Sequence, residues 1–291
     1  MQNLISKAET LLEALPYIQK FCGSIFVIKY GGSFMDSPDS EVRNAVARDI
    51  VFLEAVEINP VDVHGGGKAI TRALEQAGLK SNFLQGQRVT DERTAQIADE
   101  VLSREINPEI VSTINSLGGK ARGFAGPDIF ECRKAVVTGL AGETLDLGYV
   151  GEVIRVNTAP LFECIDQGIT PVISPTARGS DGHIYNCNAD ISAAHTAIAL
   201  KARRLVFMSD VPGLLREPTN PASLISQLQV GEIENLKKTG VIDKGMIPKV
   251  DSAAAAIQSG VEKVSFVDGR VPHAVMLEIF TDQGVGTECV V

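Results

Sequence analysis

The sequence predicts an α/β protein in which helices pack against a mainly parallel sheet. Hydrophobic residues make up 44% and charged residues 22% of the 291 positions, which is ordinary for a globular protein with a substantial core. Aromatic residues are sparse, whereas the small and β-branched residues that suit buried parallel strands are common. Short apolar runs also alternate with amphipathic segments, which is the pattern of strands connected by helices.

The first segment of the chain has helical periodicity. Between Asn3 and Cys22, leucine and isoleucine side chains recur on one stripe, and Pro16 is expected to kink the helix. An amphipathic helix ahead of an α/β core either packs on its own subunit or contacts a partner. The sequence leaves both possibilities open.

A strand that ends in a glycine turn follows this helix. Residues 25–28 form an apolar run that predicts a buried strand, Lys29 ends it, and Gly31 and Gly32 precede a helix predicted over 37–57. A lysine beside a glycine turn suits an anionic ligand, because glycine lets backbone N–H groups approach a phosphate closely. A lysine that only points to water is the alternative.

A second unit of the same kind comes directly afterwards. A short strand over Val61–Val63 leads to Gly65, Gly66 and Gly67, and a helix then ends near Gly78. Neither unit contains the GxxxxGK[ST] of a P-loop or the GxGxxG of a dinucleotide fold, so those two nucleotide sites are not expected.

The middle of the chain predicts more helices and a less regular β region. Arg88 precedes a long helical region from Asp91 to Leu117, which Asn107-Pro108 is expected to break in two. Arg88 is either a solvated charge or a ligand for a carboxylate. The predicted elements that follow are hairpins or an edge sheet at 135–138 and 149–156, a helix at 159–167, a strand at 170–173 and a hairpin turn at Asp181-Gly182.

The last third of the chain repeats the alternation of strands and helices. Two asparagines and an aspartate open the predicted helix 191–202, and helix capping explains only one of these polar residues. The next strand ends in a polar loop, which is where α/β sheets bind ligands. The predicted elements are strands at 204–208, 264–267 and 286–290, and helices at 232–239, from 250 to 260 and at 273–279.

Charge and cysteine content exclude several classes of protein. A net charge of −9 argues against non-specific binding of nucleic acid. No apolar run approaches the ~20 residues that cross a membrane, and the charged first segment is unlike a signal peptide. The five cysteines are odd in number and lack metal-ligand spacing, which predicts a reducing cytoplasm.

Eight short motifs, in this order and at fitting intervals, resemble those of the acetylglutamate kinases, a branch of the amino acid kinase family. The resemblance extends over nearly the whole chain, and its specificity comes from the order of the motifs, since each one alone is weak. The motifs are IKYGGS (Ile28–Ser33), HGGG (His64–Gly67), RVTD (Arg88–Asp91), LGYVGEV (Leu147–Val153), NCNAD (Asn186–Asp190), SDVPG (Ser209–Gly213), GMIPKV (Gly245–Val250) and DGRVPH (Asp268–His273).

The resemblance implies a three-layer α/β/α sandwich with a mainly parallel central sheet, which is the amino acid kinase fold. Residues 1–180, including the helix over 3–21, would bind the amino-acid substrate and form a dimer, and residues 181–291 would bind the nucleotide. The implied reaction is phosphoryl transfer from ATP, accompanied by Mg²⁺, to the γ-carboxylate of N-acetyl-L-glutamate in arginine biosynthesis.

The resemblance also implies roles for individual residues. Lys29 and Lys249 would stabilise the transferring phosphoryl group from opposite sides, and Asp190 would hold both lysines. A carboxylate nucleophile has a pKa near ~4 and is already ionised at pH 7, so no general base is required. By the same resemblance, Gly66, Gly67, Arg88, Asn186 and Asn188 would bind the substrate, and Gly31, Gly32, Ser209, Asp210, Val211, Gly213, Leu214, Gly245 and Met246 would bind the nucleotide.

A subset of the family has an additional N-terminal helix that interlaces dimers into a hexamer, a trimer of dimers, and permits feedback inhibition by arginine. The first helix of this chain resembles it, so a homodimer or a hexamer is expected, and a PII-like regulator could bind. The effector residues implied by the resemblance are Tyr17, His273, Glu278 and Gly284.

The chain departs from the family pattern at two places near the predicted site. Lys68 stands where a proline or small residue is usual, and the 123–129 stretch lacks the usual lysine and glycine, so its local hairpin is in doubt.

Two other functions remain open. One is a sibling kinase that acts on free or carrier-bound aminoadipate. The other is a non-catalytic amino-acid sensor, which would have no need of two lysines that stabilise a transition state.

Overall fold

The computed structural model describes residues 2–31, 39–84, 86–138, 143–217, 219–243, 245–282 and 284–291. The strands in these ranges are β1 (Ile25–Tyr30), β2 (Asn59–His64), β3 (Phe83–Leu84), β4 (Gln87–Arg88), β5 (Ala121–Phe124), β6 (Phe130–Lys134), β7 (Val137–Thr138), β8 (Thr144–Leu145), β9 (Val150–Val156), β10 (Thr170–Ile173), β11 (Thr176–Gly179), β12 (Ile184–Cys187), β13 (Arg204–Ser209), β14 (Gln227–Gln229), β15 (Lys263–Asp268) and β16 (Thr287–Val290).

The helices lie between these strands, as the sequence predicted. Short 3₁₀ turns cover Pro221–Ser223 and Val230–Glu232, and a π-helix covers Val101–Ile106. The α-helices are α1 (Gln2–Phe21), α2 (Ser40–Ala55), α3 (Gly67–Gln76), α4 (Glu92–Glu100), α5 (Asn107–Ser116), α6 (Gly126–Ile129), α7 (Ala159–Ile165), α8 (Ala189–Ala199), α9 (Ile233–Lys238), α10 (Ile247–Gln258) and α11 (Ala274–Ile279).

Eight of the strands form one central sheet in the order β14-β16-β15-β13-β1-β2-β10-β5. Every neighbouring pair in it is parallel except β15 and β16, which are antiparallel, so the predicted mainly parallel sheet is confirmed. Because β1 pairs directly with β13, the sheet runs without interruption through both predicted lobes. The carboxyl ends of β1, β2, β10, β13 and β15 therefore meet at one edge.

Helices cover both faces of the sheet, which gives the three layers that the resemblance implied. Alternate side chains of β1 face opposite ways: Val27 belongs to one buried apolar cluster, and Phe26 and Ile28 belong to another. The first cluster includes Ala197 of α8, and the second includes Leu53 of α2. Among the described residues, no helix combines the length and the apolar character needed to cross a lipid bilayer.

A small closed barrel of β11, β12, β9 and β6 stands beside the large sheet. The strand predicted at 135–138 is confirmed over Val137–Thr138, which is β7 and pairs antiparallel with β8, whereas the barrel strand Phe130–Lys134 was not predicted. The atypical 123–129 stretch contributes the end of β5 and the short helix α6. Gly151 lies where the sulfur atoms of Cys132 and Cys187 meet, since an added Cβ would lie 3.0 and 2.8 Å from them.

The helical region from α4 to α5 does not break at Asn107-Pro108, contrary to the prediction. Ile106 and Asn107 both keep right-handed helical backbone angles, and the π-helix of Val101–Ile106 joins α4 to α5. A π-helix hydrogen-bonds five residues back instead of four, so it provides room for the ring of Pro108 and for its missing N–H.

Asp62 is an exception to the apolar pattern of the central strands. It lies level with Ile28 of β1 and Val172 of β10. Its carboxyl group is fully buried, and neither oxygen has a hydrogen-bond partner among the described residues. Burial raises the pKa of Asp62 well above its usual range. The charge of Lys29 and the nearby backbone N–H of Tyr30, which is too poorly placed for a regular hydrogen bond, offset this only in part.

Replacing Asp62 with valine should stabilise the protein at alkaline pH. The folded state binds the carboxyl proton more tightly than the unfolded chain, so the free energy of unfolding falls as the pH rises above the unfolded pKa of about 4. A buried polar group without a hydrogen-bond partner lowers the free energy of unfolding by about 1–3 kcal/mol. We therefore expect Asp62→Val to raise the free energy of unfolding by an amount of that order at pH 8 and by less at pH 5.

Urea unfolding at the two pH values measures this difference. Asp62→Asn serves as the control, because it removes the titration but keeps a buried polar group. An Asp62→Val protein less stable than the wild type at pH 8 would contradict the prediction.

Candidate active site

Three charged side chains from distant parts of the sequence meet at the carboxyl edge of the sheet. Lys249 Nζ donates a hydrogen bond to Asp190 Oδ2 at 2.6 Å, and Lys29 Nζ forms an ion pair with Asp190 Oδ1 at 3.2 Å. The side chains of Lys29 and Asp190 are each 10% exposed, and that of Lys249 is 18% exposed. The group holds two cations and one anion in a nearly dry environment.

Burial and neighbouring charges shift the pKa values of Asp190 and Lys249. Burial opposes the ionised form of Asp190, but the charges of Lys29 and Lys249 outweigh it and hold the pKa of Asp190 below its usual range. Burial, followed by repulsion from Lys29, lowers the pKa of Lys249. The aspartate therefore stays ionised, and the group keeps an excess of positive charge that favours a bound anion.

Local structure presents each of the three side chains. Lys29 is near the end of β1, where the strand reaches the edge of the sheet. Asp190 lies in the first turn of α8, whose N-cap Asn188 accepts hydrogen bonds from the backbone N–H groups of Asp190 and Ile191. Lys249 lies in the first turn of α10, which begins just after a turn closed by the Asp243 carboxylate.

The two glycine turns pack against each other beside these charges. An added Cβ at Gly31 would lie 3.0 Å from Lys29 Nζ and 3.2 Å from Gly65, so a side chain would disturb both. Gly65 donates its N–H to the carbonyl of Tyr30 at 2.7 Å, which links the turn after β2 to the end of β1. Gly32, a predicted nucleotide ligand, lies outside the described residues.

Arg88 is a buried cation beside the second glycine turn. Its Nη2 donates to the carbonyl of Gly67 and to Thr71 Oγ1, both at 2.9 Å, and its Nη1 donates to Ser81 Oγ. The guanidinium lies over the ring of Phe83 at 4.7 Å. Burial lowers the pKa of Arg88, and no described carboxylate offsets this cost. A carboxylate ligand would supply that missing charge.

A cavity of about 270 Å³ is lined by Lys29 and Asp190, by the glycine turns and by Arg88. Its apolar wall includes Ile70, Leu102 and Val150. Asn186 lies on β12 at this wall, and its Nδ2 is 3.5 Å from Thr90 Oγ1. The predicted site residues that line the cavity are Lys29, Gly31, Gly66, Gly67, Arg88, Asn186, Asn188 and Asp190.

The predicted nucleotide residues of the second half lie outside this cavity, on the side of Lys249. Asp210 lines a neighbouring cavity of about 320 Å³ that also reaches Gly66 and Gly67. Leu214 is buried in the apolar core, and its N–H donates to Thr287 Oγ1, so its side chain has a packing role. Of the others, Ser209 ends β13, Val211 and Gly213 follow that strand, and Gly245 and Met246 precede α10.

The structure gathers three of the four predicted effector residues at the junction of α1 and α11. Tyr17 donates a hydrogen bond to Asp282, and Gly284 lies against the buried Glu278 carboxylate, which accepts the N–H of Val285 at 3.0 Å. His273 is at the opposite end of α11, where its ring contacts Asp49 at 2.6 Å.

Sequence reasoning missed several side chains that hold the site in place. Thr71 and Ser81, which hold Arg88, have no sequence signal. Thr71 reaches Arg88 from α3, and Ser81 reaches it from the segment between α3 and β3. His64 could have been found, since it directly precedes the triple glycine. Asn107 was interpreted only as a helix breaker, yet its side chain contacts His64.

The chain resembles known proteins both in sequence and in fold. The sequence model of the amino acid kinase family matches residues 24–268. The chain is 46% identical to acetylglutamate kinase of Carboxydothermus hydrogenoformans, covering 99% of both proteins, and 48% identical to that of Moorella thermoacetica, covering 97% of both. It superposes with a TM-score of 0.81 on N-acetylglutamate synthase from Neisseria gonorrhoeae, solved with coenzyme A and N-acetyl-glutamate. That match has 23% identity, covers 98% of this chain and 63% of the synthase chain, and shows the fold alone.

Proposed function

The chain belongs to the amino acid kinase family, and from that premise we propose that it transfers the γ-phosphoryl group of ATP to the γ-carboxylate of N-acetyl-L-glutamate. The product would be an acyl phosphate in arginine biosynthesis, formed in the cytoplasm. The buried contact of Asp190 with Lys29 and Lys249 is the observation that best supports this reaction.

The charged group addresses the main obstacle to such a transfer. The nucleophile is already an anion, so the barrier comes from bringing it up to a polyanion and from the charge that spreads over the phosphoryl oxygens. Lys29 and Lys249 would stabilise that charge from two sides, and Asp190 keeps their ammonium groups in place beforehand. The glycine turns would add backbone N–H donors.

Arg88 supports an amino-acid substrate that carries a second carboxylate. Both Nη2 hydrogens are engaged by Gly67 and Thr71, so a carboxylate that binds in a fork would replace at least one of these acceptors. Asn186 on the same wall could hydrogen-bond the amide of an acetylated amino group. The substrate would thus be held at one end while its other carboxylate faces the lysines.

The nucleotide would approach from the side of Ser209, Asp210 and Gly245, within the 181–291 portion of the chain. Mg²⁺ would be held mainly by the phosphates and water, because no three His, Cys, Asp or Glu side chains converge in the described part of the chain. The ion would neutralise phosphate charge. This chain's own residues would position the transferring group.

We expect ATP-dependent phosphorylation of N-acetyl-L-glutamate and little turnover of glutamate or aminoadipate. Trapping the acyl phosphate with hydroxylamine, together with ADP release, measures this preference.

Arg88→Ala should raise the KM for the amino acid by roughly 10-fold or more and change the KM for ATP little, because a charged hydrogen bond to substrate is lost. Arg133→Ala, at an exposed ion pair, is the control. A preference for aminoadipate would favour the sibling kinase.

Lys29→Ala and Lys249→Ala should each lower kcat by at least ~100-fold with modest changes in KM, because each removes a cation that acts on the transferring group. Steady-state kinetics with both substrates varied tests this. Lys134→Ala, at an exposed ion pair with Asp146, is the matched control. Near-normal turnover in either site variant, with the fold intact, would reject the assigned roles and reopen the reading of the chain as a sensor.

The same proposal includes assembly through α1 and feedback inhibition by arginine. Three leucines stand out from the outer part of this helix: Leu11, Leu12 and Leu15 are 69%, 64% and 43% exposed. The end of the helix instead packs on its own subunit through Phe21, next to the junction of α1 and α11. A second copy would cover the leucines, and an effector at the junction would act on the same helix. A PII-like regulator stays a prediction.

The double variant Leu11→Arg, Leu12→Arg should convert a hexamer into dimers and weaken inhibition by arginine, because charges would face the partner helix. Light scattering and activity at millimolar arginine measure both effects. The exposed control Arg48→Ala, on α2, should keep the hexamer. A dimeric wild type, or wild-type activity unchanged by arginine, would contradict this part of the proposal.

A further inference from the structure

We propose that His64 is a positioning residue for phosphoryl transfer. Held by Asn107, its neutral ring fixes the Gly65 carbonyl and thereby directs the N–H of Gly66 toward the bound anion. This inference rests on the proposed function, and it assigns His64 no proton transfer and no direct contact with substrate.

The contacts form a continuous chain from the middle of the sheet to the glycine turn. His64 ends β2 and is fully buried. Its Nδ1 lies 2.9 Å from the Gly65 carbonyl oxygen, and its Nε2 lies 3.2 Å from Asn107 Nδ2. The same Asn107 nitrogen lies 2.9 Å from the carbonyl oxygen of Val172 in β10.

These partners permit one arrangement of protons. The carbonyl of Val172 only accepts hydrogen bonds, so the amide group of Asn107 must present its NH₂ there and not its oxygen. That NH₂ also faces His64 Nε2, which must then accept. The proton of the ring therefore resides on Nδ1, which donates to the Gly65 carbonyl. Burial lowers the pKa of His64 to about 4, so the ring is neutral at neutral pH.

The geometry of a peptide bond links this contact to the cavity. The described peptide bonds are all trans, and in a trans peptide the carbonyl and the following N–H point in opposite directions. Holding the Gly65 oxygen at the His64 ring therefore turns the Gly66 N–H to the other side. Gly66 lines the cavity with Lys29 and Asp190, and its N–H donates to no acceptor among the described residues.

The π-helix that leads into Asn107 also packs directly on this turn. A Cβ at Gly66 would lie 2.4 Å from Ile106 Cδ1 and 2.6 Å from Leu102 Cδ2, so those two side chains fill the space beside the glycine. Both belong to the π-helix immediately before Asn107. π-Helical turns are rare and occur frequently at functional sites. Here the widened turn places apolar side chains and the Asn107 amide on one face.

Two substitutions of His64 separate positioning from simple packing. Asparagine can place its Nδ2 where Nδ1 stood and donate to the Gly65 carbonyl, whereas leucine fills the space without a donor. We expect His64→Leu to lower kcat by about 30-fold or more with the KM for N-acetylglutamate within about 3-fold. The Gly66 N–H, which the resemblance assigned to the substrate, would in this inference act mainly on the charge that develops during transfer, and the variant misdirects it. His64→Asn should restore most of that loss.

Asn107→Leu should reproduce the kinetic effect of His64→Leu, since the ring loses the contact that sets its tautomer. The double variant should be no worse than either single one, because the two residues act as a unit. Asn115→Leu is the matched control. It lies on the same helix and its amide oxygen accepts the N–H of Ala121 at 2.8 Å, away from the glycine turn, so it should lower the melting temperature without lowering kcat.

Near-normal kcat in a folded His64→Leu protein would overturn the inference, as would equal losses in His64→Leu and His64→Asn or an effect confined to the KM of the amino acid. If His64→Leu does not fold, the kcat values of His64→Asn and Asn107→Leu decide the matter. The inference requires most of the wild-type kcat in His64→Asn and a lowered kcat in Asn107→Leu. A wild type that forms no acyl phosphate would reject the proposed function and this inference with it, whereas active wild type with active His64→Leu rejects the inference alone.

Discussion

The contact of Asp190 with two lysine ammonium groups is the interaction on which the rest of the site depends. Removing one partner of a buried ion pair usually lowers the free energy of unfolding by several kcal/mol. A buried group of three charges therefore needs secondary structure that fixes the position of each charge. The sheet holds Lys29, the capped start of α8 holds Asp190, and the start of α10 holds Lys249. The excess of one positive charge is what makes the edge attractive to phosphate.

The glycine turns serve this electrostatic centre. β1 and β2 are neighbours in the sheet, so their turns emerge side by side and can pack without side chains between them. Backbone N–H groups and the Lys29 cation then share one cavity with Arg88, which lacks a described carboxylate partner. The arrangement suits two anions brought together, each with its own cation, and requires no titrating base.

Several departures from ordinary packing lie around this edge. Asp62 is a buried acid in β2, the strand next to Lys29, and the Val101–Ile106 π-helix presses on Gly66. Natural chains tend to break local rules at functional sites and to offset the cost elsewhere. The π-helix has an evident use, because it places Asn107 against His64. Asp62 has the charge of Lys29 nearby, but among the described residues no hydrogen bond to its oxygens explains its burial.

The sequence by itself determined the alternation of strands and helices, the two glycine turns and the family resemblance, because these depend on periodicity and on residues close together in the chain. It named Lys29, Asp190 and Lys249, but their roles stay predictions. Only the tertiary structure decided that β6 closes a small barrel, that the helix runs on past Asn107, that Leu214 is buried, and that Thr71 and Ser81 hold Arg88. Those outcomes depend on packing between separate elements of the fold, from the hairpin contact of Ser81 to the closure of the barrel, and no local sequence pattern records the free energies of such contacts.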